Sequence, residues 1–298
     1  MIRQTFSRLP STSLLHPHNP LRAFVLGVLA LLVLAFAGPA LSQIQLGTDI
    51  DGEVGNDQSG RSVSLSSDGT RVAIGAYLND GANGSDSGHV RVYKLSGGSW
   101  IQLGSDINGE AADDFSGESV SLSSNGTRVA IGAGGSNGNG NNAGQVRIYD
   151  WNGTAWTQLG ADIDGEAAGD NSGNSVALSS NGTRVAIGAI GNDDNGNDSG
   201  HVRVYDWNGT AWTQVGTDID GEVGNDQSGY SVSLSSDGTR VAIGANTNDD
   251  SAGHVRVYDW NGSAWTQLGA DIDGEAAYDY SGYSVSLSSD GTRVAIGA

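Results

Sequence analysis

The chain has 298 residues, with 34 acidic against 14 basic residues, a net charge of −20 and no cysteine. A protein that binds polyanions needs clustered positive charge to displace counterions, so this balance argues against nucleic acid as a partner. The lack of cysteine excludes disulfides, a thiol nucleophile and a thiolate metal site.

The first 42 residues differ from the rest and predict a secretory signal peptide. Arg3, Arg8 and Arg22 precede an apolar run at 23–37, and small residues follow it up to Ser42. Because a membrane helix needs about 20 apolar residues, we favour a cleaved signal over an uncleaved anchor. After cleavage no membrane span is expected, and the protein should be secreted or displayed at the cell surface.

Residues 43–298 repeat one unit, which places all of them in a single array. The run Ser-Val-Ser-Leu-Ser, with Ala as its third residue in one copy, recurs at offsets of 57, 56, 56 and 53 residues. It occupies 62–66, 119–123, 175–179, 231–235 and 284–288. A fixed period of this size indicates a repeat architecture built from one supersecondary unit.

Within each unit the pattern predicts four short strands, and the third copy shows them well. Residues 175–179 and 184–189 alternate larger apolar with small residues, and an Asn-Gly hairpin turn separates them. A polar loop leads to a strand at 201–207, and a second Asn-Gly turn leads to one at 211–216. The Ala and Gly face of the second strand should let a neighbouring unit approach closely.

Four antiparallel strands in about 56 residues predict an all-β fold, a β-propeller of four-stranded antiparallel blades. A parallel β-helix is the competing fold, but its short coils do not suit a unit built on two hairpins. Four complete blades are expected, at 62–104, 119–160, 175–216 and 231–269, together with parts of a fifth. The chain starts after the signal with a fourth strand and stops after a second strand. We therefore expect a propeller that is incomplete at the C-terminus and has an aggregation-prone open edge.

The order of motifs resembles the FG-GAP repeat, the blade of the integrin α-subunit propeller and of many secreted bacterial proteins. Each unit runs Asp-x-Ser-Gly-x-Ser-Val-x-Leu-Ser, Val-Ala-Ile-Gly-Ala, Gly-x-Val-Arg-Val-Tyr and Trp-x-Gln-Leu-Gly, with small variations. Residues 115–117, Phe-Ser-Gly, stand where the family has its Phe-Gly. The resemblance covers 43–298 and implies a propeller, typically of seven blades. Most copies lack the Phe, and the Pro that follows Gly-Ala in the family is absent.

The family's calcium loop does not carry over to this sequence. In the integrin-type calcium blades an Asp-x-Asp-x-Asp-Gly-x-x-Asp loop precedes the Gly-Ala strand. Here that place holds only Ser-Ser-Asp-Gly-Thr or Ser-Ser-Asn-Gly-Thr, which is too short to encircle an ion.

A different acidic cluster precedes each unit, with oxygen-bearing side chains at relative positions 1, 3, 5 and 9. Because calcium takes six to eight oxygen ligands, we consider these acidic loops as calcium candidates, and no other cofactor is indicated. Pairing with the repeated arginines, or simple solvation, are the alternatives left open. The cluster comprises Asp49, Asp51, Glu53, Asp57; Asp106, Asn108, Glu110, Asp114; Asp162, Asp164, Glu166, Asp170; Asp218, Asp220, Glu222, Asp226; and Asp271, Asp273, Glu275, Asp279.

No catalytic set stands out, because His89, His201 and His254 occupy the same repeated slot before the third strand. We expect a binding or adhesion module for an extracellular protein or carbohydrate rather than an enzyme. A secreted propeller hydrolase and a purely structural surface component are the alternatives. The variable loops between second and third strands are where function on such scaffolds usually lies.

Overall fold

The structure, a computed structural model, describes residues 45–298, so the predicted signal peptide lies outside the described residues. The regular secondary structure of this part of the chain is almost entirely antiparallel β-strand, with one short helical turn at Asn248–Ser251. None of its helices has the length and apolar character needed to cross a membrane.

Four sheets of five strands follow one another along the chain, and a two-stranded sheet ends it. The first sheet contains β1 (Ser62–Leu65), β2 (Arg71–Ala76), β3 (His89–Ser96), β4 (Ser99–Gln102) and β5 (Ile107–Asn108). The second contains β6 (Ser119–Leu122), β7 (Arg128–Ala133), β8 (Gln145–Trp151), β9 (Trp156–Gln158) and β10 (Ile163–Asp164). The third contains β11 (Ser172–Leu178), β12 (Arg184–Ala189), β13 (His201–Trp207), β14 (Trp212–Gln214) and β15 (Ile219–Asp220). The fourth contains β16 (Ser231–Leu234), β17 (Arg240–Ala245), β18 (His254–Trp260), β19 (Trp265–Gln267) and β20 (Ile272–Asp273). The last contains β21 (Ser284–Leu287) and β22 (Val294–Gly297).

Each complete sheet is a four-stranded antiparallel blade whose outer strand is split in two. In the first blade β1 pairs with β2 and β2 with β3. The far half of β3 pairs with β4, and its first two residues pair with β5. The predicted fold of four-stranded blades is confirmed, and the division of the fourth strand is a detail that the sequence pattern did not predict.

The first strands of successive blades contact one another, as strands nearest a propeller axis do. Their Val and Leu side chains lie between blades, and Val120 and Leu122 are 9% and 7% exposed. In the first blade the equivalent Val63 and Leu65 are 63% and 58% exposed, because no described blade precedes it. The core is therefore divided into layers, one between each pair of blades.

Hydrogen bonds of one repeated pattern join each blade to the next. The backbone N–H of Ser67 donates to the carbonyl of Ser124, and Ser124 in turn donates to Ser180. The hydroxyl of Ser62 donates to the carbonyl of Gly117 over 2.7 Å. Similar bonds recur at every later interface, so one blade junction is copied along the chain.

Glycine in the Gly-Ala strands allows this close approach, as the sequence predicts. A Cβ on Gly132 of β7 would lie 1.9 Å from the carbonyl oxygen of Gly173 in the following blade. The same contact exists for Gly75, Gly188 and Gly244, at 2.0–2.1 Å. A side chain at these positions would force the blades apart.

The two ends of the array differ from the complete blades. Strands β21 and β22 pair only with each other among the described residues. The expected fourth strand near residue 45 is not a strand; residues 45–61 form turns and irregular structure. The carbonyl of Leu46 still accepts the Trp100 indole N–H, as Leu103 does for Trp156 in the next blade. The segment thus occupies the place of an outer strand, but no described third strand lies beside it to complete a ladder.

Candidate functional site

The acidic loops and the loops between second and third strands meet on one side of the array, which we call the loop face. Asn83, Asn139 and Asn195 belong to three of the latter loops, and each donates its side-chain amide to a carbonyl of the next acidic loop. The backbone N–H of Asp113 also donates to the carbonyl of Ser85. These bonds make the loop face one continuous surface.

The last acid of each of the first four acidic loops is buried and holds its own loop together. Asp114 is 3% exposed, and its Oδ2 accepts the backbone N–H groups of Glu110 and Ala111. The same two bonds recur at Asp170 and Asp226. Equivalent single bonds are made by Asp57 and Asp279. A carboxylate that accepts backbone N–H groups in this way caps a turn, as side chains do at helix N-termini.

The first and third positions have separate partners. At the first position Asp106, Asp162, Asp218 and Asp271 accept the side-chain amide of the glutamine four residues earlier, while Asp49 is exposed. At the third position, each backbone carbonyl accepts a guanidinium N–H from an arginine on the third strand of the blade that follows the loop. The acceptors are Asp51, Asn108, Asp164 and Asp220, and the donors are Arg91, Arg147, Arg203 and Arg256 in the same order. Asp273 in the last acidic loop is exposed. Burial, followed by the charge of Asp162, raises the pKa of the Asp164 carboxyl.

The glutamate at the fifth position faces an arginine and, in three blades, a histidine. Glu166 Oε1 lies 3.5 Å from Arg203 Nη1, and its Oε2 lies 3.9 Å from His201 Nδ1. Glu53 and Glu222 repeat this arrangement, and Glu110 pairs with Arg147 at 3.4 Å and with the Gln145 amide. The arginine pairing considered from the sequence is therefore present, whereas Glu275 in the last acidic loop is exposed.

The four acids of one loop do not form a common ligand set, and calcium binding by a single loop stays a prediction. Side chains that could hold a metal ion instead come together from different loops. One Glu, one His and the first Asp of the next acidic loop meet with ligand atoms within 4.8 Å of one another. The groups are Glu53, His89, Asp106; Glu166, Asp194, His201, Asp218; and Glu222, His254, Asp271.

The three histidines are buried at the start of the third strands. His89, His201 and His254 are 1%, 0% and 1% exposed, and burial is the main cause that lowers the pKa of each imidazole. Neutral imidazole is the form that binds metals. The second blade has Gln145 at this position, so it lacks the imidazole that the other three blades have.

A second cluster, which the sequence analysis missed, lies where the first strands begin on the loop face. The residue before the Ser-Val pair of the first strand differs in nearly every copy: Arg61, Glu118, Asn174, Tyr230 and Tyr283. We call these five side chains the inner ring. The Asn174 amide donates to the Tyr230 carbonyl over 3.2 Å, and the rings of Tyr230 and Tyr283 are 5.1 Å apart.

The charges and hydroxyls of the inner ring interact with one another. Burial raises the pKa of the Glu118 carboxyl, and the positive charge of Arg61 opposes that rise. Burial, followed by the hydrogen bond with Tyr283, raises the pKa of Tyr230 to about 12. An open pocket beside the ring is lined by Phe115, Glu118, Asn174 and Ile190, among others. The ring thus combines two aromatic faces with a cation, an anion and an amide.

A signal for this cluster was present in the sequence. The flanking residues Gly and Ser-Val are the same in every copy, so the variable residue between them stands out when the copies are aligned. A comparison restricted to the positions that all copies share overlooks this residue. Differences among near-identical copies identify the places where the repeats are not interchangeable.

Comparison with protein families gives a match to the FG-GAP repeat at residues 48–93 and 161–205. No curated protein matches the sequence significantly.

Solved structures of similar fold share little sequence with the chain. A Lactobacillus plantarum protein aligns with a TM-score of 0.55 at 14% identity, covering 80% of this chain and 63% of that one. The periplasmic gluconolactonase of Pseudomonas aeruginosa aligns with a TM-score of 0.52 at 16% identity, covering 79% and 64%. TolB from Acinetobacter baumannii has a TM-score of 0.46 at 16% identity, covering 78% and 47%. The chain therefore spans less than two thirds of the length of these three proteins. The likeness to the first two concerns the fold alone. Together with the blades described above, the family match shows FG-GAP repeats at residues 48–93 and 161–205 within an array of β-propeller blades.

Proposed function

We propose that the protein is an exported extracellular binding module whose ligand contacts the inner ring on the loop face. The observation that carries this proposal is the divergence of the inner ring at a position whose flanking residues, Gly and Ser-Val, are identical in every copy. A purely structural array has no need of four different residue types at one position in five copies of the repeat. Ligand sites on repeat scaffolds commonly lie in the loops gathered on one face.

The chemistry of the inner ring favours a carbohydrate over a protein ligand. Tyrosine offers an apolar face and a polar hydroxyl, and Tyr230 and Tyr283 lie side by side. Arg61, Glu118 and Asn174 supply donors and acceptors of the kind that fix the orientation of a hydroxylated ligand. The net charge of −20 argues against a polyanionic glycan as the ligand.

The binding proposal is tested by applying the full chain to a glycan array and measuring the affinity of any glycan retained. Tyr230→Ala and Tyr283→Ala should each weaken binding by roughly tenfold or more, the equivalent of about 1.4 kcal/mol. Tyr278→Ala is the matched control, because Tyr278 is 73% exposed and lies in an acidic loop outside the ring. Glycan binding that is equally sensitive to all three changes would contradict the proposed site. Binding only to proteins would replace carbohydrate by a protein ligand.

Export is tested separately by expressing the full gene in a bacterial host and sequencing the N-terminus of the protein recovered outside the cytoplasm. The proposal predicts a chain that begins at Gln43. Deletion of residues 23–37 should retain the protein inside the cell. Recovery of an intact N-terminus in the membrane fraction would favour the uncleaved anchor.

A further inference from the structure

We propose that Glu166, Asp194, His201 and Asp218 form a binding site for a zinc-type divalent cation in the third blade. Two of these residues come from successive acidic loops, one from the loop between β12 and β13, and one from the start of β13. Their ligand atoms lie within 4.8 Å of one another. The proposed site is separate from the inner ring and does not depend on it.

The buried histidine is the observation that points to a metal rather than to a solvated group of acids. His201 is 0% exposed, yet neither Nδ1 nor Nε2 has a hydrogen-bond partner. A buried polar atom without a partner costs about 1–3 kcal/mol. A cation bound to the imidazole would remove part of that cost, since Nδ1 already faces Glu166 at 3.9 Å.

The charges of the site suit a divalent ion. Three carboxylates surround the neutral imidazole, and Arg203 lies against Glu166 Oε1 at 3.5 Å. The three negative charges and one positive charge leave two negative charges, which a divalent cation neutralises. Glu166 Oε2 lies on the side of the histidine, so one carboxylate can serve both the arginine and a metal.

The donor set selects the class of cation. Calcium and magnesium take oxygen ligands, whereas imidazole with carboxylates suits zinc and neighbouring transition metals. Zinc binds nitrogen and oxygen at about 2.0–2.2 Å, and four ligands complete its coordination. Glu166 and Asp194 are exposed, so their side chains can close the remaining distance to a shared ion.

The other blades provide internal comparisons. The first and fourth blades have groups of three ligands, namely Glu53, His89, Asp106 and Glu222, His254, Asp271, which no fourth acid joins. The second blade has Gln145 in place of the histidine. We therefore expect one site of highest affinity in the third blade, weaker sites in the first and fourth, and none in the second.

The test is calorimetric titration of the full chain with zinc chloride, and with calcium chloride in parallel, followed by zinc X-ray absorption of the loaded protein. Asp194→Asn should weaken the tightest zinc site at least tenfold, because changes even beyond the direct ligands cost about 10- to 100-fold in affinity. Asp193→Asn removes the same charge from the neighbouring exposed residue outside the group, so it should leave zinc affinity unchanged.

His201→Gln should abolish the tightest site, so that only the weaker sites of the first and fourth blades remain in the titration. Glutamine is native at this place in the second blade, so the variant is expected to fold, which circular dichroism checks. Gln145→His should add one weak zinc site. No zinc binding by the unchanged protein, calcium binding without zinc binding, or equal losses in Asp193→Asn and Asp194→Asn would each overturn the proposal.

Discussion

Replacement of Lys94 by aspartate should stabilise the first blade, because it supplies a salt bridge that the next three blades already have. Arg128 of β7 faces Asp150 of β8, and the two side chains form a bidentate pair at 2.6 and 2.7 Å. The same pairing recurs in the third and fourth blades. In the first blade Arg71 faces Lys94 in the same register, so two positive charges oppose each other.

The structure allows the size of the gain to be estimated. The guanidinium of Arg71 is already positioned, since it donates to the Gly126 carbonyl over 2.9 Å, as Arg128 does to Gly182. Exposed ion pairs contribute about 0.2–1 kcal/mol, with bidentate geometry at the upper end. Removal of like charges that face each other across strands contributes roughly 0.2–1 kcal/mol more. Lys94→Asp should therefore add about 1–1.5 kcal/mol.

Thermal melting measures this gain in stability for the whole chain, and hydrogen exchange measures it in the first blade. For a chain of this size about 1 kcal/mol corresponds to roughly 2–4 °C in Tm, and protection should rise in the hairpin of β2 and β3. Lys94→Ala removes the repulsion between Lys94 and Arg71 without adding a salt bridge, so it separates the two contributions. Asp150→Lys is the reverse exchange and is expected to destabilise the second blade. The gain should shrink in 1 M salt, where the screening length is about 3 Å. An unchanged or lower Tm for Lys94→Asp, or a gain insensitive to salt, would refute the reasoning.

Three further predictions concern the blade junctions and the inner ring. Gly132→Ala should lower the unfolding free energy by several kcal/mol, because its Cβ would lie 1.9 Å from a carbonyl oxygen; Gly55→Ala, with open space around it, is the control in the same denaturant titration. Ser64→Ala should cost about 1 kcal/mol through loss of the bond from the Leu122 N–H, whereas Ala177→Ser, at the one copy that lacks this hydroxyl, should raise Tm. Burial raises the pKa of Glu118, so the stability it contributes is complete below about pH 4.5 and is lost as pH rises through the folded-state pKa. Glu118→Gln should accordingly raise Tm at pH 7 but not at pH 4, and an equal rise at both would contradict this assignment.

Much of the fold follows from local sequence signals. Period-2 alternation and Asn-Gly or Asp-Gly turns identify the hairpins, and small residues on one face of β7 anticipate the close contact with the next blade. Features that depend on residues distant in the sequence could not be predicted from local patterns. The outer strand is split because Leu103 and Ile107 pair with different parts of β3. Residues near 45 have a strand-like sequence, but a strand also requires a neighbour with which to pair.

The site was less accessible to prediction than the fold. Spacing along one acidic loop suggested four ligands for one ion, yet the ligand atoms that converge belong to separate loops. Asp114 illustrates the reason, since its buried carboxylate is used by the backbone of its own loop. Only the three-dimensional arrangement shows that His201 lies between Glu166 and Asp218.

The backbone bonds that link the serine turns of successive blades all run in one direction, and this has a consequence for how the gene can change. Ser67 donates to Ser124, Ser124 to Ser180, Ser180 to Ser236, and Ser236 to Ser289. Each unit therefore presents a donor edge and an acceptor edge that fit any other unit, a head-to-tail junction in the sense used for oligomers. An in-frame duplication or loss of one whole unit would join a donor edge to an acceptor edge and create no new kind of interface. The number of blades is thus free to vary by recombination, while residues such as those of the inner ring give each copy its own identity.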